Sequence, residues 1–194
     1  MIYENWLHTD LLNTRTDFCP PLKGKISCDV LVIGGGFAGL HAALRLAESG
    51  KDVVLLERSI CGGSSSGRSG GFLTPATEQD INQLIGLLGI EEAKRVYDTP
   101  IQGINLIVNT IKKYNINCDL QKQDALYLAI SKDDLETLKT EEKALKKLGY
   151  SATFYDVKKL QSVHPGKNYH AGLRSGNSYG INSLVYSQNM INLK

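Results

Sequence analysis

Between Asp29 and Glu57 the sequence runs through an apolar strand, a glycine turn, a helix and a second apolar strand that ends in an acid. Val30-Leu31-Val32-Ile33 is a continuous apolar run, the pattern expected of a parallel strand buried on both faces. Gly34-Gly35-Gly36-Phe37-Ala38-Gly39 follows at once and has the dinucleotide-fingerprint spacing at Gly34, Gly36 and Gly39. Leu40, Ala43, Leu44 and Ala47 then recur at helical intervals, Gly50 stops the helix, and Val53-Val54-Leu55-Leu56 forms the next strand.

Each fingerprint glycine has its own physical task. The first makes the tight turn, the second lets main chain meet a pyrophosphate, and the third lets helix pack on strand. The pyrophosphate is expected on the N–H groups and positive dipole end of the helix that begins near Ala38. Glu57 is placed to accept hydrogen bonds from both hydroxyls of an adenosine ribose, and its charge would repel a 2′-phosphate. FAD or NAD therefore fits and NADP does not. A glycine turn with a strand before it, a helix after it and an acid about 20 residues on is a far more specific signal than the glycines alone.

The second glycine-rich stretch is Cys61-Gly62-Gly63-Ser64-Ser65-Ser66-Gly67-Arg68-Ser69-Gly70-Gly71. By composition it reads as a flexible linker. By position it leaves the carboxyl end of a parallel strand, where open α/β sheets bind their ligands. Its backbone N–H groups and small hydroxyls suit a phosphate or ribityl chain, Arg68 adds a fixed positive charge, and the missing side chains let main chain approach a flat ring. A ligand loop is the expectation.

Cys28-Asp29-Val30 through Gly39-Leu40, the Leu55-Leu56-Glu57 end and Ser66-Gly67-Arg68-Ser69-Gly70-Gly71-Phe72 resemble the amino-terminal part of the D-amino-acid-oxidase-like FAD-dependent oxidoreductases. The branch most similar is the gamma-glutamylputrescine oxidase type of amine oxidase. The resemblance extends more loosely through Glu91-Glu92-Ala93, Cys118-Asp119-Leu120, Ala125 to Ala129 and Leu148-Gly149-Tyr150. It implies an α/β fold: a Rossmann-like FAD-binding domain, begun by the βαβ unit, with part of an α+β substrate domain. The implied division is an arm over 1–27, the FAD-binding unit and glycine/serine loop over 28–80, and a helical and small-sheet region over 81–194. Family members run to about twice this length, so the sequence reads as an amino-terminal portion.

The expected cofactor is FAD, and the candidate cofactor-binding residues are Gly34, Gly36, Phe37, Ala38, Gly39, Glu57, Arg58, Ser66, Gly67, Arg68, Ser69, Gly70 and Gly71. The implied reaction is oxidation of a small amine or amino acid by hydride transfer to flavin. No catalytic acid or base stands out, and the amino-terminal portion by itself is expected not to oxidise amines. A non-catalytic dinucleotide-binding fragment and an NAD-dependent dehydrogenase remain as alternatives, the latter disfavoured by the absence of a typical α/β continuation after Glu57.

The net charge of +2 gives no warrant for a nucleic-acid partner, and no apolar run is long enough to span a bilayer. Met1 to Asp10 lacks the basic start and apolar core of a secretory signal, so a cytoplasmic protein is inferred. Cys19, Cys28, Cys61 and Cys118 have no CxxC spacing, and neither His164 nor His170 has a ligand-like neighbour, so no metal is expected. His41, alone on its helix, reads as a packing or surface residue.

Further along, apolar stripes at Ile81-Leu84-Ile85-Leu88 and at Ile101-Ile104-Val108-Ile111 predict helices, with Pro100 expected to kink or divide the second. Leu120 and the run Ala125–Ile130 predict two short strands of a hairpin joined near Gln123-Asp124. Ser131 with Asp134 predicts a capped helix carrying acids early and lysines late. A short strand near Phe154 and a helix over Val157–Leu160 follow. The Gly-, Ser- and Asn-rich segment from Gly166 to Asn182 carries no element prediction, and Asn182 to Lys194 reads as the start of a helix.

Overall fold

The computed structural model describes residues 19–193. Most of the expected amino-terminal arm, Trp6 included, lies outside them; its described part, 19–27, has neither helix nor strand and is exposed apart from its neighbour Cys28. The described chain divides into two units. One comprises the chain up to Gly71, Ile111–Asp119 and the chain from Ile181 on; the other comprises Phe72–Thr110 and Leu120–Gly180. The sequence reading ends an arm at residue 27 and the FAD-binding unit at residue 80. Instead the chain leaves the fingerprint unit after Gly71 and returns to it twice.

In the fingerprint unit β1 (Val30–Ile33) and β2 (Val53–Leu56) pair in parallel, Val30 with Val53 through Ile33 with Leu56. Helix α1 (Phe37–Glu48) connects them and buries Leu40 and Leu44. It closes in a Schellman motif: Gly50, at φ +83°, donates to the Ala47 carbonyl at 2.9 Å, and Lys51 donates to that of Leu46 at 3.1 Å. Burial of β1 on both faces, expected from its unbroken apolar run, is not found. Its residues alternate between half-buried and exposed, with Leu31 50% and Ile33 82% exposed, because α1 lies against only one face of the pair. The returning segment 111–119 buries Ile111, Ile116 and Cys118. From it Lys113 and Tyr114 both reach the Glu48 carboxylate at the end of α1, the tyrosine hydroxyl at 2.7 Å. These donors, with Arg45 one turn back, hold the Glu48 carboxyl down at about 2.

The second unit is an antiparallel sheet with helices packed on it. Its central strand is β6 (Ala171–Gly180), paired with β4 (Gln121–Ala129) along one edge and with β5 (Ala152–Tyr155) and β3 (Phe72–Leu73) along the other. The expected hairpin over 120–130 is a single strand. Its register with β6 shifts between Gln123 and Ala125, where Asp124 alone stands opposite Gly176 and Asn177, so the bulge belongs to β6, and the Asp124 carboxylate pairs with Arg174 of that strand.

Helices α2 (Ile81–Leu88), α3 (Ile90–Lys113) and α4 (Lys132–Lys147) surround a core of Ile81, Leu84, Ala93, Tyr97, Ala144, Leu145, Ala152 and Leu173. Pro100 does not divide α3. The buried stripe Ala93, Tyr97, Ile104, Val108, Ile111 continues in helical phase through it, and that burial outweighs the local cost of about 3 kcal/mol. Ser131 and Asp134 form the expected capping box of α4. The short helix α5 (Val157–Gln161) buries Leu160, and α6 (Ser183–Met190), capped by Asn182, belongs to the fingerprint unit. The buried carboxylate Glu141 accepts from the Ile81 N–H at 3.1 Å and from Asn82 Nδ2 at 3.0 Å, and burial pushes its pKa up.

Candidate functional site

The glycine turn starts where β1 ends. Gly34 donates to the Leu56 carbonyl at 2.7 Å and then takes φ +105°, a conformation closed to ordinary side chains. Gly36 is the N-cap of α1, with no side-chain cap of its own, so the first-turn N–H groups of Phe37, Ala38 and Gly39 have no partner within the helix; the first intrahelical bond runs from the Leu40 N–H to the Gly36 carbonyl. A Cβ on Gly39 would overlap the carbonyl oxygen of Gly34 and meet Val32 Cγ1 at 3.5 Å, so the third glycine brings helix close to strand. A Cβ on Gly36 would lie 3.0 Å from Ser66 Oγ, inside the space in front of the helix.

Two side chains from elsewhere in the sequence converge on this turn. Glu57, one residue past β2, accepts the Gly35 N–H on Oε2 at 2.7 Å and the Ser59 N–H on Oε1 at 2.9 Å. The Gly35 hydrogen bond, helped by those of Ser59 and Arg58 and by the Arg58 charge, holds its carboxyl below the usual range against a partial burial penalty. Ser66 Oγ accepts the Phe37 N–H at 3.1 Å, so a hydroxyl from the second glycine-rich stretch lies on the first amide of α1.

That stretch is folded as consecutive turns. Gly62 donates to the Gly35 carbonyl and Gly67 to the Gly62 carbonyl, both at 2.8 Å. Gly71, at φ +74°, accepts from the Ile181 N–H at 3.0 Å, and Ser69 Oγ lies 2.7 Å from Ser183 Oγ. Gly62, Gly67 and Gly71 are buried, whereas Arg68, Ser69 and Gly70 are exposed, as is Arg58.

The structure thus gathers Gly34 to Gly39, Glu57 and Ser66 around one turn, while Arg68 and Gly70 lie at the exposed part of the loop. A cavity of about 830 Å³ in this unit is lined by Leu40, Ala43 and Leu44 of α1, Val53, Leu55 and Leu56 of β2, and the run Glu57–Cys61. Its walls are mostly apolar, Ser59 and Gln188 add polar groups, and Glu57 and Arg58 supply its charged groups.

The sequence reading missed the contribution of α6. Tyr186 is fully buried, its hydroxyl is 3.0 Å from His41 Nε2, and its ring meets Phe37 edge-on at a centroid distance of 5.9 Å. His41, read as a packing or surface residue, is half-buried on that tyrosine. Burial, and then the Arg45 charge, lower its pKa, so it favours the neutral form.

A parallel βαβ unit with a glycine turn, a helix N-terminus that has no side-chain cap of its own and an acid at the end of the second strand defines a dinucleotide-binding class of protein. The chain belongs to the FAD dependent oxidoreductase (DAO) family, which it matches over residues 29–192. FAD is the cofactor of that family, and the resemblance carried by the two glycine-rich stretches is borne out at family level. The chain is 38% identical over 169 residues to the probable oxidoreductase OrdL of Haemophilus influenzae, a match covering 86% of this chain and 39% of that protein. It is also 38% identical over 128 residues to gamma-glutamylputrescine oxidoreductase of Escherichia coli, covering 66% of this chain and 30% of that one. Among solved structures, glycine oxidase from Geobacillus kaustophilus superposes with a TM-score of 0.68 at 14% identity, over 84% of this chain and 43% of that one, which shows a shared fold.

Proposed function

We propose that this chain anchors FAD and acts in the oxidation of a small amine or amino acid. In this reading Gly34, Gly36, Phe37, Ala38 and Gly39 and the N-terminal end of α1 hold the pyrophosphate. Glu57 takes the ribose hydroxyls and Arg58 flanks the adenosine, with the apolar cavity beside them to receive the base. Ser66, Gly67, Arg68, Ser69, Gly70 and Gly71 serve the ribityl and ring side. Arg68 offers a charge whose planar fork suits phosphate oxygens.

The observation that carries the reading is the convergence of Glu57 and Ser66 on the turn that opens α1, at 2.7 and 3.1 Å from the Gly35 and Phe37 amides. The space in front of Gly36, which a Cβ would fill, is what main-chain contact with a pyrophosphate requires. The amine or amino-acid substrate class is supported by the names of two similar proteins, gamma-glutamylputrescine oxidoreductase and glycine oxidase. Bound flavin supplies a two-electron acceptor for the carbon that bears nitrogen, and the imine so formed is hydrolysed by water. A cytoplasmic setting is in keeping with Cys19, Cys28 and Cys118 standing as unbridged thiols, and no helix among the described residues is long and apolar enough to cross a membrane.

The test is to incubate the purified chain with FAD and, separately, with NAD, remove free ligand, and record the absorbance spectrum. The retained fraction is then challenged under anaerobic conditions with gamma-glutamylputrescine, putrescine and glycine. A retained flavin spectrum is the expected result, and any bleaching by one of these amines would identify the substrate. Retention of NAD in preference to FAD would overturn the cofactor assignment, and bleaching by a substrate without an amine, such as a hydroxy acid, but by none of these amines would overturn the substrate class.

A further inference from the structure

Helix α6 has six of its eight side chains buried, and three of these are polar: Ser183 at 2%, Ser187 at 0% and Gln188 at 4% exposure. Buried polar groups cost stability unless they are paired, so their partners indicate what the helix is built to hold. Ser183 Oγ is 2.7 Å from Ser69 Oγ, and Gln188 Nε2 donates to the Cys61 carbonyl, so two of the three reach opposite ends of the 61–71 loop. Ser187 Oγ turns back to the Ser183 carbonyl at 2.9 Å, leaving its Cβ against Gly62, where an added Cβ would lie 2.5 Å away. A Cβ on Gly67 would come within 2.9 Å of Leu184 Cδ1. α6 thus leaves no room for a side chain at Gly62, while at Gly67 an added Cβ would meet the Gly62 carbonyl oxygen of the loop itself at 2.2 Å before it met Leu184. On its other side α6 reaches α1, through the Tyr186 hydroxyl on His41 and the Tyr186 ring on Phe37, the first residue of that helix.

We propose that α6 is a brace that fixes the 61–71 loop against the N-terminal end of α1, and that Ser183, Gln188 and Tyr186 are positioning residues for FAD affinity. The inference rests on the reading that these two segments form the cofactor cradle. A loop so rich in glycine loses much conformational freedom when it is ordered. The brace supplies that order before ligand arrives, so binding does not have to. Ser183 and Gln188 hold the two ends of the loop, and Tyr186 sets their distance from the first turn of α1.

The test uses the full chain and the variants Ser183→Ala and Ser183→Thr, the second of which keeps the hydroxyl. Amide hydrogen exchange is read without FAD, and FAD affinity is read by fluorescence titration. Ser183→Ala should speed exchange at Gly67 and Gly71 about five-fold, the effect of losing one ordinary hydrogen bond, and weaken FAD by a similar factor. Leu173 and Ala129, in the other unit, should not change, and Ser183→Thr should restore both readouts. Unchanged exchange at Gly67 and Gly71, or equal acceleration in both units, overturns the brace. Local acceleration with FAD affinity intact overturns its link to the cofactor. Should the unsubstituted chain bind no FAD, the cradle reading fails by that result, and the exchange measurement still decides whether α6 orders the loop.

Discussion

Replacing Glu57 by Gln keeps the side chain's shape and removes its charge. The carboxylate serves two backbone donors, Gly35 at 2.7 Å and Ser59 at 2.9 Å, with one oxygen each. An amide has one oxygen, so either N–H must face an NH2 group instead. Glu57 is half-buried and water can reach the abandoned donor, which puts the stability loss at about 0.5–1.5 kcal/mol. The effect on FAD is larger, because ribose hydroxyls lose a charged acceptor that a hydrogen bond values at about 1.5–3 kcal/mol, or about 10- to 150-fold in affinity. Urea denaturation gives the first number and fluorescence titration the second. The charge also predicts a pH effect. The folded pKa of Glu57 lies below 4.5, so its contribution to stability is complete above that value and fades as pH falls through the folded pKa. Glu57→Gln should abolish this part of the acid dependence. Equal FAD affinity in the two proteins would refute the assignment of Glu57 to the ribose.

Gly39→Ala should destabilise the fingerprint unit by more than 1 kcal/mol in urea denaturation, since its Cβ meets the Gly34 carbonyl, a main-chain atom that cannot swing aside. Glu141→Ala, which leaves the buried Ile81 N–H without an acceptor, should cost about 1–3 kcal/mol, whereas Glu141→Gln retains one and should cost less than 1 kcal/mol. Because the folded pKa of Glu141 lies above 4.5, its ionisation lowers stability as pH rises from 4.5 to that value; a urea series across this range should show the slope, and Glu141→Gln should lose it. The Glu48 carboxyl, held at about 2, stabilises the fingerprint unit above pH 4.5 and loses that contribution as pH falls toward 2, so Lys113→Met should make acid unfolding begin at higher pH.

The βαβ unit was legible because its signals are local and agree. A four-residue apolar run, glycines at fixed spacing, a helical stripe and a terminal acid all specify the same turn, and the structure places Glu57 on it. Strand β6 was hidden by its composition. Gly172, Ser175, Gly176 and Ser178 read as loop, yet they lie in a strand paired on both edges; at Gly172 a Cβ would meet the side chains of Leu126 and Leu160 at 3.1 Å. The hairpin expected at Gln123-Asp124 took for a turn the place where β4 runs opposite a bulge of β6, and only that partner strand, through Arg174, explains Asp124. The interleaving of the two units, and the pairing of α6 with a loop more than a hundred residues earlier, depend on contacts that no sequence period records.

The central claim is that the turn opening α1 holds the pyrophosphate of FAD by main chain. The most direct measurement is FAD titration of the unsubstituted chain beside Gly36→Val, with circular dichroism to show that both are folded. The Val side chain fills the space in front of the helix, where even a Cβ lies 3.0 Å from Ser66 Oγ. Saturable FAD binding by the unsubstituted chain, lost or weakened at least a hundred-fold (about 2.7 kcal/mol) in the folded variant, is the predicted result. Equal affinity in a folded Gly36→Val protein would contradict the account.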